Sequence, residues 1–321
     1  MTKGILAVED EIRIASLLPS ATEIVAALGF EARLVGRSHE CDFPESVERL
    51  PVLTRSRTQP AGSSAEIDRQ VREQARRNAA EEALGVYEVL AEELQRARPT
   101  HIVTQTLCEV CAVSLRDVER AVRQRTGVEA RVVPLAGTDL PGVMADFLEV
   151  AEALGDIAAG ERLAARCNER LAELGAAAGK LEAVSVLQLE WLDPPMSAGH
   201  WTPELIQTAG GLCLLGDEGG KSKRLDAAAV AEADPDVLLL APCGFALERT
   251  RAELPALLAS EPWRGLRAVR EGRVFLADGQ QYFNRPGPRL VESGEILAEI
   301  LHPNAFDFGH KGRGWLAAGT P

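Results

Sequence analysis

The sequence predicts an α/β protein of two Rossmann-like lobes with parallel sheets, joined by a helical segment. Three observations carry that reading. Short β-rich runs alternate with long helical patterns from Ile12 to Leu135, and the same rhythm returns from Ala183 to Leu301. Between them, Leu140 to about Leu181 is rich in Ala, Glu, Leu and Arg and contains no strand pattern. Strand, helix, strand in this order requires right-handed crossovers, which generate a parallel sheet. A chain of 321 residues also accommodates two domains of about 100–200 residues. The expected divisions are a first lobe over 10–140, a connecting segment over 141–181, a second lobe over 182–303 and a tail over 304–321.

In order along the first lobe, Ile12 to Leu18 reads as a strand that ends at Pro19-Ser20. Ser20 or Thr22 then caps a helix through Leu28, which Gly29 ends by supplying a left-handed residue. Arg33 to Gly36 is a second strand, followed by the loop His39-Glu40-Cys41-Asp42-Phe43-Pro44. Leu84, Tyr87, Leu90 and Leu94 recur at helical spacing, so a long charged helix is expected from Ser64 to Arg98, stopped by Pro99. His101 to Thr104 and Arg131 to Leu135 complete the strands. The connecting segment reads as two helices interrupted near Gly155 and Gly160, or as one long helix joining the lobes. In the second lobe Ala183 to Leu189, Asp236 to Ala241 and Arg273 to Ala277 are strands, the middle one a fully apolar run after Asp234-Pro235. Pro203 to Ala209 and Pro288 to Leu301 are helices. The Gly-rich, basic tail after Pro303 reads as a loosely packed terminus.

Composition narrows the function. With 35 Lys+Arg against 48 Asp+Glu the net charge is −13, the opposite of what a polyanion or an acidic membrane surface would attract. No run approaches the ~20 apolar residues of a spanning helix, so no membrane insertion is expected. The first residues lack the apolar core of a secretory signal, so the chain as written is expected in the cytoplasm, and in the periplasm or at the surface only if a leader was removed. Six cysteines are too few for a disulfide scaffold. No GxSxG, P-loop or strand-following GxGxxG is present, and a catalytic role is not expected.

Chemistry concentrates after strands, where ligands sit in open parallel sheets. The loops concerned hold His39-Glu40-Cys41, Gln105-Thr106-Leu107-Cys108-Glu109-Val110-Cys111, Glu190-Trp191, Pro242-Cys243-Gly244-Phe245 and Gln280-Gln281-Tyr282-Phe283-Asn284-Arg285. Tyr282 is one of only two tyrosines, and large amphipathic aromatics at strand ends suit a wide, flat ligand. Cys108 and Cys111 have the CxxC spacing that lets two thiolates share one metal, and His39 with Cys41 adds a second pair. Convergence of the four would hold zinc or an iron–sulfur cluster. Buried thiols or a redox pair are the plainer readings. Imidazole from His39 or His200 is a further candidate, as axial ligand to cobalt. His101, His302, Cys167 and Cys213 read as structural, and His310 falls in the tail without an assigned role.

Four segments in order, Ser16 to Val25, Gly36 to Pro44, Gln105 to Ser114 and Tyr282 to Arg289, resemble the cobalamin-binding branch of the helical-backbone (class III) substrate-binding proteins of ABC transporters. The resemblance spans about Ile12 to Pro303. It implies two α/β lobes joined by one long helix, a ligand cleft between the lobes, and cobalamin or a related corrinoid as ligand. It also implies an ABC-transporter permease as partner, or alternatively a role as intracellular carrier. By that resemblance Tyr282, Phe283 and Arg285 supply an aromatic wall and a cation, although Phe283, followed by Asn284, reads equally as packing. His200 and Trp201 belong to a loop entering from the second lobe, and Trp191 and Phe245 complete the ring. Glu40 and Gln105 stand where cobalamin-binding relatives carry a Tyr and a Trp, so two stacking faces are replaced by polar groups. Glu66 matches the first of two acidic docking residues, whereas Ala228 stands where the second would be. The leading expectation is therefore non-catalytic corrinoid binding. The alternatives are a metal- or cluster-containing redox protein or enzyme on the same fold, and a heme or siderophore binder.

Overall fold

The structure, a computed structural model, describes residues 12–57, 62–81, 87–105 and 130–319. They fall into two compact units. The first draws on Met1–Thr58, Val71–Ala136 and Asp146–Glu161, the second on Gln59–Gln70, Gly137–Ala145 and Arg162–Pro321.

The first unit is built on a four-stranded sheet in the order β2-β1-β5-β6. Its strands are β1 (Ile14–Ser16), β2 (Leu34–Gly36), β5 (His101–Gln105) and β6 (Arg131–Leu135), all parallel. Ala15, Leu17, Leu53, Leu94 and Ile102 form its core. Helix α1 (Pro19–Ala27) starts earlier than the expected Ser20 or Thr22 cap, with Pro19 in the first turn, where a missing N–H costs nothing. Thr22 is instead buried inside the helix and donates to Ser16 Oγ at 2.7 Å. Gly29, at φ +90°, ends α1 as expected.

One expected element is wrong. The helix read over Ser64 to Arg98 is α2 (Ser64–Glu81), then a strand β4 (Tyr87–Val89), then α3 (Ala91–Ala97). β4 pairs antiparallel with β3 (Thr54–Ser56), with Ser56 opposite Tyr87. A β-branched and aromatic run that finds a strand partner outweighs a helical spacing of leucines.

The second unit carries a six-stranded sheet, β12-β11-β10-β7-β8, with β9 also on β7. β7 (Val184–Leu192), β10 (Val237–Leu240) and β11 (Val274–Ala277) run parallel, as the apolar runs predict. β8 (Pro195–Ser197) returns antiparallel on β7, and β9 (Gly211–Cys213) adds a parallel edge. The connecting segment comprises α4 (Leu140–Ala153) and the 22-residue α5 (Ile157–Ala178), separated at Gly155, whose φ is +83°. Of the remaining helices, α6 (Thr202–Thr208), α7 (Ala227–Ala233), α8 (Leu247–Ala259) and α9 (Arg267–Arg270) flank the sheet strands in sequence. In α10 (Leu290–Leu301) every residue but Glu292 is buried.

The tail is not loosely packed. β12 (Trp315–Ala317) pairs antiparallel with β11, and Trp315 is buried. An indole that removes this much apolar area from water is enough to fix a short terminal strand.

Candidate functional site

At the carboxyl edge of the first sheet, the loop after β2 folds back on β3 and β4. The His39 backbone N–H donates to Thr54 Oγ1 at 3.1 Å, and His39 Nδ1 lies 2.8 Å from the same hydroxyl. Its ring meets Tyr87 edge to face, with centroids 5.0 Å apart, and the Tyr87 hydroxyl donates to Glu40 Oε1 at 2.7 Å. Burial, reinforced by Arg37 and opposed by Glu40, holds the His39 pKa below its ordinary value, so its imidazole is neutral near pH 7. Tyr87 is the functional candidate that sequence reasoning missed. The signal was its rarity, obscured by placing it on a helix.

Cys41 is the one thiol of the expected metal set that lies within the described residues. It is buried, and its Sγ lies 3.0 Å from Thr22 Oγ1, so its sulfur faces the start of α1. Cys108 and Cys111 lie outside the described residues. Among the described residues, no three His, Cys, Asp or Glu side chains are grouped to hold a metal. Gln105 ends β5, half-buried, at the same carboxyl edge.

In the second unit the loops after β7, β10 and β11 interlock. Cys243 N donates to Glu190 O at 3.0 Å, and Gly244 N donates to Gly279 O at 3.2 Å. The Asn284 side-chain amide ties the stack together, reaching Ala241 O at 3.2 Å and Gly279 O at 3.0 Å. A Cβ on Gly279 would lie 2.1 Å from Pro242 O, so only glycine permits this approach. The stack presents Trp191 and Tyr282, both half-buried. Trp191 donates to Asp193 O at 3.1 Å, and Arg289 lies over the Tyr282 ring at 5.3 Å. Burial, with help from Glu292, pushes the Tyr282 phenol above its ordinary pKa.

Three of the expected ligand-contact residues are buried. Phe283, Phe245 and Trp201 expose 0%, 1% and 6% of their surface, because their aromatic mass fills the lobe interior. Phe245 packs edge to face on Trp191 at 5.3 Å, with the Arg249 guanidinium 3.9 Å above its ring. Trp201 Nε1 donates to Phe283 O at 2.6 Å, and Phe283 N donates to Ser293 Oγ at 3.0 Å. These side chains support the loops rather than face outward. Arg285 is likewise 93% buried, at 7% exposure. His200 stacks on Trp201 at 5.5 Å, and burial, then Lys221, lowers its pKa. Its Nδ1 is buried without a hydrogen-bond partner.

Glu66 is a capping residue. Its carboxylate accepts from Ser63 N at 2.8 Å while its own N–H donates to Ser63 Oγ at 3.3 Å, a reciprocal box at the start of α2. The Ser63 bonds hold its exposed carboxyl below the ordinary value. Ala228 is exposed on α7. A separate cavity of about 630 Å³ is lined by Leu192, Leu225, Val230 and Trp263. Three of its carboxylates are already committed: Asp226 caps α7, Glu253 accepts from Ser64, and Glu261 accepts from Arg264.

Two parallel-sheet lobes, each with its chemistry gathered on loops at the strand ends, define the class of two-lobed α/β substrate-binding proteins. Residues 14–281 match the family described as periplasmic binding protein, and the chain belongs to that family. No curated protein matches its sequence significantly. Among solved structures it is similar to the periplasmic heme-binding protein RhuT from Roseiflexus sp. RS-1, at 23% identity and a TM-score of 0.68, covering 92% of this chain and 99% of that one. A periplasmic heme-binding protein from Pseudomonas aeruginosa is similar at 23% identity and a TM-score of 0.66, covering 91% and 93%. The periplasmic vitamin B12 binding protein BtuF of Vibrio cholerae is similar at 18% identity and a TM-score of 0.61, covering 90% and 95%. At these identities the likeness concerns the fold.

Proposed function

We propose that the chain is a non-catalytic receptor for a metal tetrapyrrole, with a corrinoid such as cobalamin as the foremost ligand. The observation that carries this reading is the interlocked loop stack of the second lobe. It holds Trp191 and Tyr282 at the carboxyl ends of three adjacent parallel strands, on a backbone framework that a flat ligand would not have to order. The ordered motifs of the sequence favour the corrinoid, and a B12 binder is among the similar folds. Heme is the second reading. It is favoured by the paired His39 imidazole and Tyr87 phenol, a neutral nitrogen and a phenol oxygen of the kinds that ligate iron, and by heme binders of similar fold. Delivery to an ABC permease accompanies either reading, with the exposed Glu66 as one acidic contact.

Titration of the purified protein with cyanocobalamin, cobinamide and hemin, followed by calorimetry and absorption, tests this. Saturable binding of a corrinoid supports the first reading, and hemin alone the second. No heat and no spectral change with any of the three would overturn both.

A further inference from the structure

The C-terminal segment is fastened to α10 by two buried carboxylates. Glu299 accepts from three donors: the backbone N–H groups of Phe308 and His310, the latter at 3.1 Å, and the Trp315 indole N–H. Glu295 lies between Arg170 of α5, which donates to Oε1, and His310 Nε2, which is 3.0 Å from Oε2. The side chains of His310 and Glu295 are 13% and 12% exposed, so this pair is shielded from solvent. From His310 the chain turns into β12, and Gly314 O accepts from Asp278 N at 2.9 Å in the loop that carries Tyr282. The rings of Tyr282 and His310 meet edge to face, with centroids 6.3 Å apart.

The geometry points to a clasp in which protonation of His310 tightens the C-terminal segment against α10 and thereby positions Tyr282 at the ligand edge. His310 is a positioning residue here, acting through the Tyr282 ring, and the ligand arm of this inference rests on the tetrapyrrole reading. The groups that face the imidazole are Glu292, Glu295 and Glu299 from α10 and the Tyr282 ring from the loop after β11; Arg170 of α5 reaches Glu295, and Asp278 and Arg289 act on Tyr282. Arg313 lies on its own segment. The nearest of these are carboxylates, so the field favours imidazolium. The Glu295 hydrogen bond, set against burial and aided by the charges of Glu295, Glu299 and Glu292, raises the His310 pKa above 6.5. Burial acts to raise Glu295, but the bonds from His310 and Arg170 outweigh it and hold that carboxyl below 4.5.

The sign follows. A raised histidine contributes stability that is complete below its unfolded value of 6.5 and is lost as pH rises through the folded value. A depressed Glu295 contributes above 4.5 and loses its effect as pH falls below. The clasp is therefore tightest between those limits and slackens on the alkaline side.

The chain has two tyrosines, so 13C labelling of tyrosine rings gives two sets of resonances, which Tyr87→Phe assigns. In ligand-free protein the Tyr282 resonance is expected to follow one titration between about pH 5 and about pH 9, with its midpoint above the ordinary histidine value. His310→Gln should abolish it, and Glu295→Gln should move its midpoint to lower pH. The protection factors of the Phe308 and His310 amides, that is exchange corrected for its intrinsic pH dependence, should fall about tenfold over the same interval in the wild type, the weight of one charge-assisted hydrogen bond. A Tyr282 resonance that does not move, or that moves equally in His310→Gln, overturns the clasp whatever the ligand. With cyanocobalamin as probe, the wild-type Kd should rise about three- to tenfold from about pH 6 to about pH 8 and stay flat in His310→Gln. A flat wild-type profile overturns the coupling to binding, whereas absence of any cyanocobalamin binding overturns the corrinoid reading and leaves the ligand-free titration to decide the clasp.

Discussion

Phe283 adopts φ 59° with its side chain fully buried, a conformation that bulky residues avoid. Two hydrogen bonds hold it, from Trp201 to its carbonyl and from its own N–H to Ser293. Backbone strain of this kind persists only where surroundings over-determine it. Trp201→Phe retains most of the apolar volume but leaves that buried carbonyl without its donor. A loss of about 1–3 kcal/mol in stability is expected, read as a lower urea midpoint at unchanged slope. Composition marked Tyr282 as unusual and the resemblance singled out Trp201 and Phe283, but neither could say which way each points. Facing is decided by χ angles and a left-handed backbone, and neither leaves a sequence pattern. Tyr87 shows the reverse case: its partners His39 and Glu40 lie 47 or more residues away, so only the paired β3 and β4 strands reveal the cluster.

Among the elements, β10 and β11 were readable because burial on both faces makes each a near-continuous apolar run, and β7 because Val184, Val186, Leu187 and Leu189 dominate its polar residues. β8, β9, β12, β3 and β4 are three residues each, too short for a period to register. Loop contacts between parallel strands were equally hidden, although Gly279 gave a trace of them. Gly279→Ala would place a methyl against the Pro242 carbonyl and force the loops after β10 and β11 apart. Overpacking of this kind costs about 1–3 kcal/mol. The second lobe should therefore melt earlier, and the proposed tetrapyrrole ligand should bind more weakly than to the wild type, measured by calorimetry on the same preparations. Unchanged affinity would separate the loop stack from the ligand edge.

For the molecule as a whole, charge was the most legible property and the most restrictive. A net charge of −13 and a sequence pI of about 5.0 leave no basic field to gather a polyanion. Neither heparin nor vesicles of anionic lipid should retain the protein, even at low ionic strength where such attraction is greatest. Retention on either would expose a local basic surface strong enough to override the total. The two-lobed α/β organisation was legible because its strand–helix rhythm repeats across a strand-free stretch. The terminal segment was not, because Gly-rich spacing conceals a strand whose partner lies 40 residues upstream, Leu276 opposite Leu316.

That terminal strand has a second consequence, for solubility. β11 would otherwise end its sheet with a row of bare amide donors and carbonyl acceptors, the template along which chains stack into aggregates. β12 covers that row with the protein's own backbone. A protease cut in the turn between His302 and His310 would release the cover while leaving the remaining sheet folded. Nicked molecules would then associate edge to edge, and long-term storage of this protein would be governed by the integrity of a turn far from either tyrosine-bearing loop in sequence.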